Sequence, residues 1–387
     1  MNIRAWAEID LDLLKNNIKE IRRITDKKAE VMAVVKADAY GHGAVECAKV
    51  FLGNGANRLG VACLSEALQL RRANIDAPIL VLGVSEEYEL ETLISNNITF
   101  SVFSYDFAKI VSDYGKKLKK TAKIHIKLDT GMSRIGYLTD VDDEQIVNEI
   151  VNISKLEYVE IEGIFSHFST ADEKNDEYTR LQFKRFCSIC ERLVQKGVDI
   201  PIKHIANSAA TIMYPETHLN MVRAGIILYG LYPSEEVDKT RINLKRAMSF
   251  KTHISHIKEI CDNRGVGYGK KYITNGKTKI ATIPVGYADG YTRMLFEKAK
   301  VQIGTGLFSV IGKICMDQCM IDVTNGNNIN VGDEVIIFGD DAVTADDLAK
   351  WLDTINYEIV CMISKRVLRV FKQNGRTVNI LNYIDRL

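Results

Sequence analysis

A lysine in a short stretch near the amino terminus is the residue best placed to do chemistry. Five apolar residues, Val31–Val35, precede Lys36, and Ala-Asp-Ala-Tyr-Gly-His-Gly follows it. A valine-rich run of this kind is typical of a strand buried on both faces, and the glycines predict that a turn ends it. Lys36 is therefore expected at a strand's carboxyl end, where α/β sheets collect catalytic groups. Partial burial can lower a lysine pKa there and free the amine for covalent chemistry.

The elements that must position this lysine follow a regular alternation of β-rich runs and helical segments between residues 6 and 230. The eight runs are Val31–Val35, Leu59–Leu64, Ile79–Leu82, Thr99–Phe103, Lys123–Leu128, Val159–Phe165, Lys203–Ala206 and Met221–Tyr229. Helical segments between them include Ala44–Leu52 and Asp176–Gln195, and Leu11–Ile24 precedes the first run. Eight successive βα units favour an α/β fold of the (β/α)8 TIM-barrel type, although an open doubly wound sheet would tolerate the same alternation.

The pattern changes after Tyr232-Pro233-Ser234, where short β-rich runs alternate with Gly, Asn and Asp turns. Only Ala345–Leu352 indicates a good helix, and Thr344 is its predicted N-cap. We therefore predict a barrel domain at residues 1–235 and a mostly β domain at 236–387. The first few residues are expected to pack with the second domain.

Composition narrows the class of protein. The 387 residues are 46% hydrophobic and 26% charged with a net charge of +1, which is typical of a globular domain and indicates neither nucleic acid nor a membrane as a partner. No signal peptide or long apolar span is evident, so a cytoplasmic location is expected. The eight cysteines are scattered without the spacing of a zinc site, so no metal is expected and free thiols are favoured.

At least six separated motifs, spread from about residue 3 to 375, resemble those of alanine racemases, whose lysine holds pyridoxal 5′-phosphate (PLP) as a Schiff base. The stretch around Lys36 is the first of them. The others include Asp129-Thr-Gly-Met-Ser-Arg-Ile-Gly136, Phe165-Ser-His-Phe168, Arg223-Ala-Gly-Ile226, Val266-Gly-Tyr-Gly269, Ile283-Pro-Val-Gly-Tyr-Ala-Asp-Gly-Tyr291 and Gly312-Lys-Ile-Cys-Met-Asp-Gln318. The resemblance implies a PLP-dependent isomerase that interconverts L- and D-alanine, with the Schiff base on Lys36.

The resemblance also implies which residues bind the cofactor. It assigns the phosphate group to Tyr40, Ser208, Gly225, Ile226 and Tyr357, and adds Asn207 and His167 to the cofactor site. It places Arg223 beside the pyridine nitrogen. An arginine can only donate there, so the ring stays unprotonated and becomes a weaker electron sink, which suits proton exchange at Cα better than decarboxylation. From the residues alone, Asn207-Ser208 is better explained as a helix N-cap, and Arg223 fits an ordinary ion pair as well as it fits a cofactor contact.

A racemase needs a base on each face of Cα, and one lysine serves only one face. The family resemblance supplies Tyr268 as the second base, contributed across a homodimer interface, with His167 bridging Tyr268 and Arg223. It assigns the substrate to Arg134, Tyr287, Met316 and Asp317. It also marks Lys127 as a position where many members carry a carbamylated lysine.

Three alternatives remain open. A PLP-binding homeostasis protein shares the lysine strand but lacks a second domain, and a decarboxylase of the same fold would use a carboxylate in place of Arg223. A serine-preferring racemase would usually carry an additional membrane domain. Alanine is therefore the expected substrate, and D-alanine for peptidoglycan is the expected use.

Overall fold

The computed structural model describes residues 4–140, 143–339 and 342–385. The described chain forms two compact units. One contains residues 14–39 and 44–244, and the other contains residues 4–13, 40–43 and 245–385. A short N-terminal segment and the four residues 40–43 thus group with the C-terminal part of the chain.

The first unit is a nearly closed barrel of eight parallel strands, which confirms the predicted fold class. The strands are Glu30–Val34 (β1), Arg58–Val61 (β2), Ile79–Val81 (β3), Thr99–Val102 (β4), Ala122–Asp129 (β5), Val159–Phe165 (β6), Ile202–His204 (β7) and Met221–Ala224 (β8). They pair in the order β8-β1-β2-β3-β4-β5-β6-β7, and the two-residue strand Tyr137–Leu138 pairs with β5. The two end strands of this order, β7 and β8, are linked near their ends by backbone hydrogen bonds. The amide of Asn220 donates to the Lys203 carbonyl (3.1 Å), and that of Arg223 donates to the Ala206 carbonyl (3.0 Å).

Helices alternate with these strands at close to the predicted positions. They are Leu11–Ile24 (α1), Ala44–Leu52 (α2), Leu64–Arg72 (α3), Leu90–Ser95 (α4), Tyr105–Leu118 (α5), Asp143–Ile153 (α6), Glu177–Gln195 (α7) and Ser208–Met213 (α8). Each longer helix has one buried face; in α6 it consists of Ile146, Val147, Ile150 and Ile153, the spacing of one helical stripe.

The barrel interior combines an apolar cluster with a polar one. Met32, Leu80 and Met221, from three different strands, form a buried apolar cluster. Arg223 lies two residues beyond Met221 on β8, and side chains two apart point to the same face of a strand. Its polar neighbours in the interior are His125 and His204, which are also buried. Buried polar groups need hydrogen-bond partners, so this cluster must satisfy itself internally.

The second unit is built on a ten-stranded mixed sheet. In spatial order its strands are His256–Ile260, Thr278–Ile283, Cys319–Asp322, Gly306–Ile311, Lys300–Ile303, Glu334–Phe338, Met248–His253, Ala5–Asp10, Leu368–Gln373 and Arg376–Leu381. Ala5–Asp10 pairs antiparallel with Met248–His253 and parallel with Leu368–Gln373. The short strands Gly265–Val266 and Tyr272–Ile273 form a separate hairpin.

Two helices accompany this sheet, Ala345–Leu352 (α9) and Asn356–Cys361 (α10). Thr344 caps α9 as predicted: its hydroxyl accepts from the Asp347 amide (3.2 Å), and the Asp347 carboxylate accepts from the Thr344 amide (2.9 Å). The prediction that α9 is the only good helix here is wrong. The sequence pattern did not predict α10, because this helix has only six residues and its N-cap, Ile355, offers no side-chain acceptor.

Within the described ranges, no helix is both long and apolar enough to cross a membrane. All eight cysteines are free thiols.

Candidate active site

Lys36 lies two residues beyond β1 and begins a left-handed turn of the backbone. The next four residues, Ala37–Tyr40, have φ values of 50°, 54°, 54° and 52°. Such conformations cost non-glycine residues roughly 1–2 kcal/mol each, so a run of four must be held by its surroundings. Two carboxylates do this: Glu66 accepts from the Ala37 amide (2.7 Å), and Asp38 accepts from the Ala44 amide (2.9 Å).

Arg223 is a buried member of the polar cluster, and both of its terminal amino groups donate to neutral acceptors. One terminal amino group donates to His204 Nδ1 (2.9 Å) and to the His204 carbonyl (3.2 Å). The other donates to His167 Nδ1 (3.0 Å) and to the carbonyls of Ser166 (2.7 Å) and Ile205 (3.2 Å). Among the described residues, no carboxylate pairs with this guanidinium, and no group accepts a hydrogen bond from its Nε–H. Burial and then the charge of Arg134 lower the pKa of Arg223 to about 9.

The contact with Arg223 fixes the state of His167. A guanidinium can only donate, so His167 Nδ1 must be an unprotonated acceptor and the ring proton must lie on Nε2. Burial, followed by the charges of Arg223 and Arg134, holds the pKa of His167 well below its usual range. Smaller contributions come from Lys127 and Lys36, which shows that Lys36 lies within electrostatic reach of this cluster.

Lys127 is a second buried cation in the barrel. Only 3% of its surface is exposed, and its ammonium lies 5.4 Å from the centre of the Phe165 ring. Burial and the charge of Arg223 lower its pKa to about 7, although Asp129 acts in the opposite direction. Lys127 is therefore partly neutral near physiological pH, which is the form in which an amine is nucleophilic.

Asp129, the last residue of β5, shapes the loop that carries Arg134. Its carboxylate accepts from the amides of Gly131 (2.9 Å), Ser133 (3.0 Å) and Arg134 (3.0 Å). Burial alone would raise the pKa of Asp129, but the amides of Ser133 and Gly131 bring it below its usual value. The Arg134 guanidinium is exposed and has no ion-pair partner within the part of the chain that the structure describes.

The loops after β7 and β8 meet at a buried hydrogen bond. Ser208 Oγ accepts from the Gly225 amide (2.9 Å), and Ile226 follows in a buried 3-10 turn. Asn207 serves as the N-cap of α8, because its side-chain oxygen accepts from the Ala210 amide (3.0 Å). The alternative that the residues left open for Asn207, a helix cap, is thus present in the structure.

The second unit holds the other predicted site residues. The rings of Tyr40 and Tyr357 are 6.1 Å apart at 54°. Tyr40 is buried, and burial raises the pKa of its phenol above the usual range. Tyr357 lies on α10, the helix that the sequence pattern did not reveal.

Three loops of this unit lie side by side and expose large side chains. Gly267, next to Tyr268, packs against the backbone of Gly312 and Lys313. The Tyr287 amide donates to the Cys315 carbonyl (3.1 Å), and the amide of the next residue donates to the Met316 carbonyl (3.0 Å). Tyr268 is 67% exposed, Met316 52% and Tyr287 40%. These three large side chains are therefore accessible to a ligand or to a partner.

Asp317, beside Met316, is held by a network of charges. Arg366 donates to Asp317 (2.6 Å) and to the fully buried carboxylate of Asp289 (2.7 Å), which Arg4 also contacts. Hydrogen bonds to Asp289 and Asp317 raise the pKa of Arg366 above its usual range. The position of Asp317 is therefore tied to the core of the second unit.

Comparisons with known proteins agree over the whole chain. Residues 9–233 match the family model described as alanine racemase, N-terminal domain, and residues 247–371 match alanine racemase, C-terminal domain. The alanine racemase of Clostridium tetani is 51% identical over 98% of both chains, and that of Methanococcus maripaludis is 53% identical over 95% of this chain and 98% of its own. The solved alanine racemase of Clostridium difficile 630 superposes with a TM-score of 0.97 at 46% identity, covering 99% of this chain and 100% of that one.

The chain belongs to the alanine racemase family. This membership confirms the resemblance on which the site residues were predicted and makes the protein an isomerase of the racemase class. The alanine racemase family is PLP-dependent.

The donors in the barrel do fit PLP. The Nε–H of Arg223 is the one donor of that side chain left without an acceptor among the described residues, and it suits an unprotonated pyridine nitrogen. The loops that join at Ser208 and Gly225 follow the seventh and eighth strands, where barrels commonly bind phosphate. Lys36 follows the first strand at the same end of the barrel.

Sequence reasoning missed several polar residues that belong to the same hydrogen-bond networks as the predicted site residues. These are His125, Glu162 and His204 in the barrel and Asp289 and Arg366 in the second unit. A signal existed for His125, because it alternates with Lys123 and Lys127 along one face of a strand whose other face is apolar. No comparable pattern marks Glu162 or His204, whose partners come from other strands.

Proposed function

We propose that this protein interconverts L-alanine and D-alanine using PLP held on Lys36. The proposal rests on the surroundings of Arg223, a buried cation whose terminal amino groups donate to neutral acceptors and whose Nε–H has no acceptor among the residues that the structure describes. PLP, when bound, supplies the electron sink that acidifies the Cα proton of an amino acid. A donor-only partner weakens that sink, which favours removal and return of a proton over loss of the carboxylate.

Two bases on opposite faces of Cα would carry the proton exchange. We assign Lys36 to the D-isomer and Tyr268 to the L-isomer. His167 supports this arrangement, because its Nδ1 accepts from Arg223 and its Nε2 proton remains available to a phenolic oxygen. Tyr268→Phe should slow Cα exchange from L-alanine much more than from D-alanine while PLP stays bound. An equal loss with both isomers would contradict the assignment of one base to each isomer.

Tyr268 would reach the cofactor of a partner subunit in a homodimer. The exposed loops around Tyr268, Tyr287 and Met316 support this proposal, because they offer a large apolar and aromatic face.

The substrate carboxylate would bind to Arg134 and to the amide of Met316, with Asp317 and Tyr287 near the mouth of the site. Arg134 suits this role because it is exposed and has no ion-pair partner among the described residues, so its bidentate donors are available. The Asp129 carboxylate orders the loop that presents it.

We further propose that Lys127 is carbamylated. The pKa of about 7 leaves a substantial fraction of neutral amine for reaction with carbon dioxide, and the nearby charges of Arg223 and Arg134 would stabilise the anion. Carbon-13 NMR of the protein equilibrated with ¹³C-bicarbonate should show a carbamate signal that is absent from Lys127→Arg. A signal of equal intensity in the variant would assign the modification elsewhere.

The alternatives differ in what they require. A PLP-binding homeostasis protein lacks a second domain, whereas this chain has one that matches the family's C-terminal model. A serine-preferring racemase remains distinguishable only by substrate. A cytoplasmic location and a role in peptidoglycan supply stay predictions.

The first test is Cα hydrogen–deuterium exchange with stereochemical readout, using purified protein and PLP in D₂O. Deuterated D-alanine should form from L-alanine well ahead of deuterated D-serine from L-serine. Faster exchange with serine would move the assignment to the serine-preferring alternative. Protein that binds PLP but exchanges neither amino acid would support the homeostasis alternative.

A further inference from the structure

The polar cluster in the barrel continues beyond Arg223 as a single chain of hydrogen bonds. Arg223 donates to His204 Nδ1 (2.9 Å), the rings of His204 and His125 meet through Nε2 and Nδ1 (2.8 Å), and His125 Nε2 meets the Glu162 carboxylate (3.2 Å). The four residues come from four strands, β8, β7, β5 and β6. Arg58 (2.9 Å) also pairs with Glu162 at the far end.

The direction of every bond in this chain follows from its first member. Because a guanidinium only donates, His204 Nδ1 must accept, and the proton of a neutral ring then lies on Nε2. That proton is donated to His125 Nδ1, so the proton of His125 lies on Nε2 and is donated to Glu162. Both histidines are thus neutral rings locked in the same tautomer.

The titration properties agree with this assignment. Burial and the charge of Arg223 hold the pKa of His204 well below its usual range, and burial lowers that of His125. Burial would raise the pKa of Glu162, but its bonds to His125 and Arg58 hold it at about 2. Phe165 stacks on the His204 ring at 4.9 Å and 5°, which fixes the plane of the ring.

We propose that His204 is a positioning residue that locks Arg223 in place without neutralising it, through a chain of neutral imidazoles that ends at Glu162. A carboxylate in the place of His204 would hold the guanidinium equally well, but it would cancel its positive charge. In this series of hydrogen bonds, two neutral imidazoles instead separate Arg223 from the nearest anion, Glu162. Arg223 then keeps both a fixed orientation and its full donor strength at the Nε–H. The role at the cofactor rests on the proposed function, whereas the tautomer chain does not.

The first experiment reads the tautomers directly in protein free of PLP. Nitrogen-15 NMR at pH 7.5, with all seven histidines labelled, should show His204 and His125 neutral and protonated only on Nε2. The variants His204→Asn and His125→Asn assign the signals. His218 is an internal reference for this tautomer, because its Nδ1 accepts from the Asp26 amide (3.1 Å) and its Nε2 meets the Thr211 carbonyl (3.0 Å). A charged His204, or one protonated on Nδ1, would overturn the chain whether or not the protein is a racemase.

The second experiment separates position from charge. Asn and Asp have the same size and place an oxygen near the site of Nδ1, but only Asp brings a negative charge. In the PLP-loaded enzyme, His204→Asn should lower kcat less than about tenfold, and His204→Asp should lower it a further ten- to hundredfold with little change in KM. The matched control His218→Asn removes a buried histidine outside the chain and should leave kcat nearly unchanged. Equal kcat values for the Asn and Asp variants would show that charge at position 204 has no effect, which would refute the proposal. A loss of kcat in His218→Asn as large as that in His204→Asn would show that His204 acts only through packing.

Discussion

At the scale of single residues, the barrel contains two buried cations that form no ion pair with a carboxylate in the part of the chain that the structure describes. Lys127 and Arg223 both have lowered pKa values, to about 7 and about 9, and in each case burial is the main cause. Such groups reduce stability when charged, and enzymes retain them where the charge or the free amine is used.

The loss of stability caused by the buried charge of Lys127 depends on pH, and this dependence can be measured. The pKa of Lys127 falls from 10.5 to about 7 on folding, so between these values the unfolded chain binds more protons than the folded one and stability rises with pH. In CO₂-free buffer, the free energy of unfolding of the native protein relative to Lys127→Gln should increase by about 2 kcal/mol from pH 7 to pH 9. Denaturant unfolding of both proteins at several pH values provides the measurement. A constant difference would show that Lys127 stays charged in the folded state.

At the scale of elements, the left-handed turn after β1 is the longest run of non-glycine residues with positive φ in the described backbone. Ala37 is exposed and has φ 50°, so a substitution there changes backbone strain with little change in packing. Ala37→Gly should raise the free energy of unfolding by up to about 1 kcal/mol, because glycine adopts positive φ without the steric penalty of a Cβ. Ala37→Val should lower it by more than about 1 kcal/mol. Shifts of the same sign in the two variants would argue against strain at this turn.

The pairing of β5 with β6 shows how one missing side chain makes room for another. A Cβ at Gly163 would lie 2.5–2.8 Å from three atoms of the His125 ring, so only glycine leaves space for that imidazole. Gly163→Ala should lower the free energy of unfolding by about 1–3 kcal/mol through overpacking. Most of this cost should disappear in a His125→Ala background, and a double-mutant cycle by denaturant unfolding measures the difference. If the effects of the two substitutions on the free energy of unfolding are additive, the clash at Gly163 is relieved by groups other than His125.

At the scale of the whole molecule, the proposed homodimer makes a prediction that no single chain can satisfy. Lys36→Ala and Tyr268→Phe should each be inactive alone, but a mixed dimer would pair an intact Lys36 with an intact Tyr268 in one of its two sites. Unfolding and refolding an equal mixture should restore roughly a quarter of native activity, because about half of the dimers are mixed and each has one good site. Separately refolded variants, combined afterwards without exchange, are the control. An inactive refolded mixture would place both bases in the same chain.

The sequence by itself determined the features that depend on local order along the chain. The strand before Lys36, the helices Ala44–Leu52 and Ala345–Leu352 and the cap at Thr344 follow from apolar periodicity and from short-range hydrogen bonding, so they could be predicted closely. The fold class followed from eight repeats of one pattern, and the family motifs supplied the site residues.

Tertiary structure alone decided which side chains share the barrel interior. The hydrogen bonds from Arg223 through His204 and His125 to Glu162 join four strands, and no spacing in the sequence encodes contacts between residues up to 79 positions apart. The lowered pKa of Lys127 likewise depends on burial and on Arg223, which comes from a different strand. Hydrogen-bond direction and desolvation are properties of a packed environment, so they exist only once the barrel has assembled.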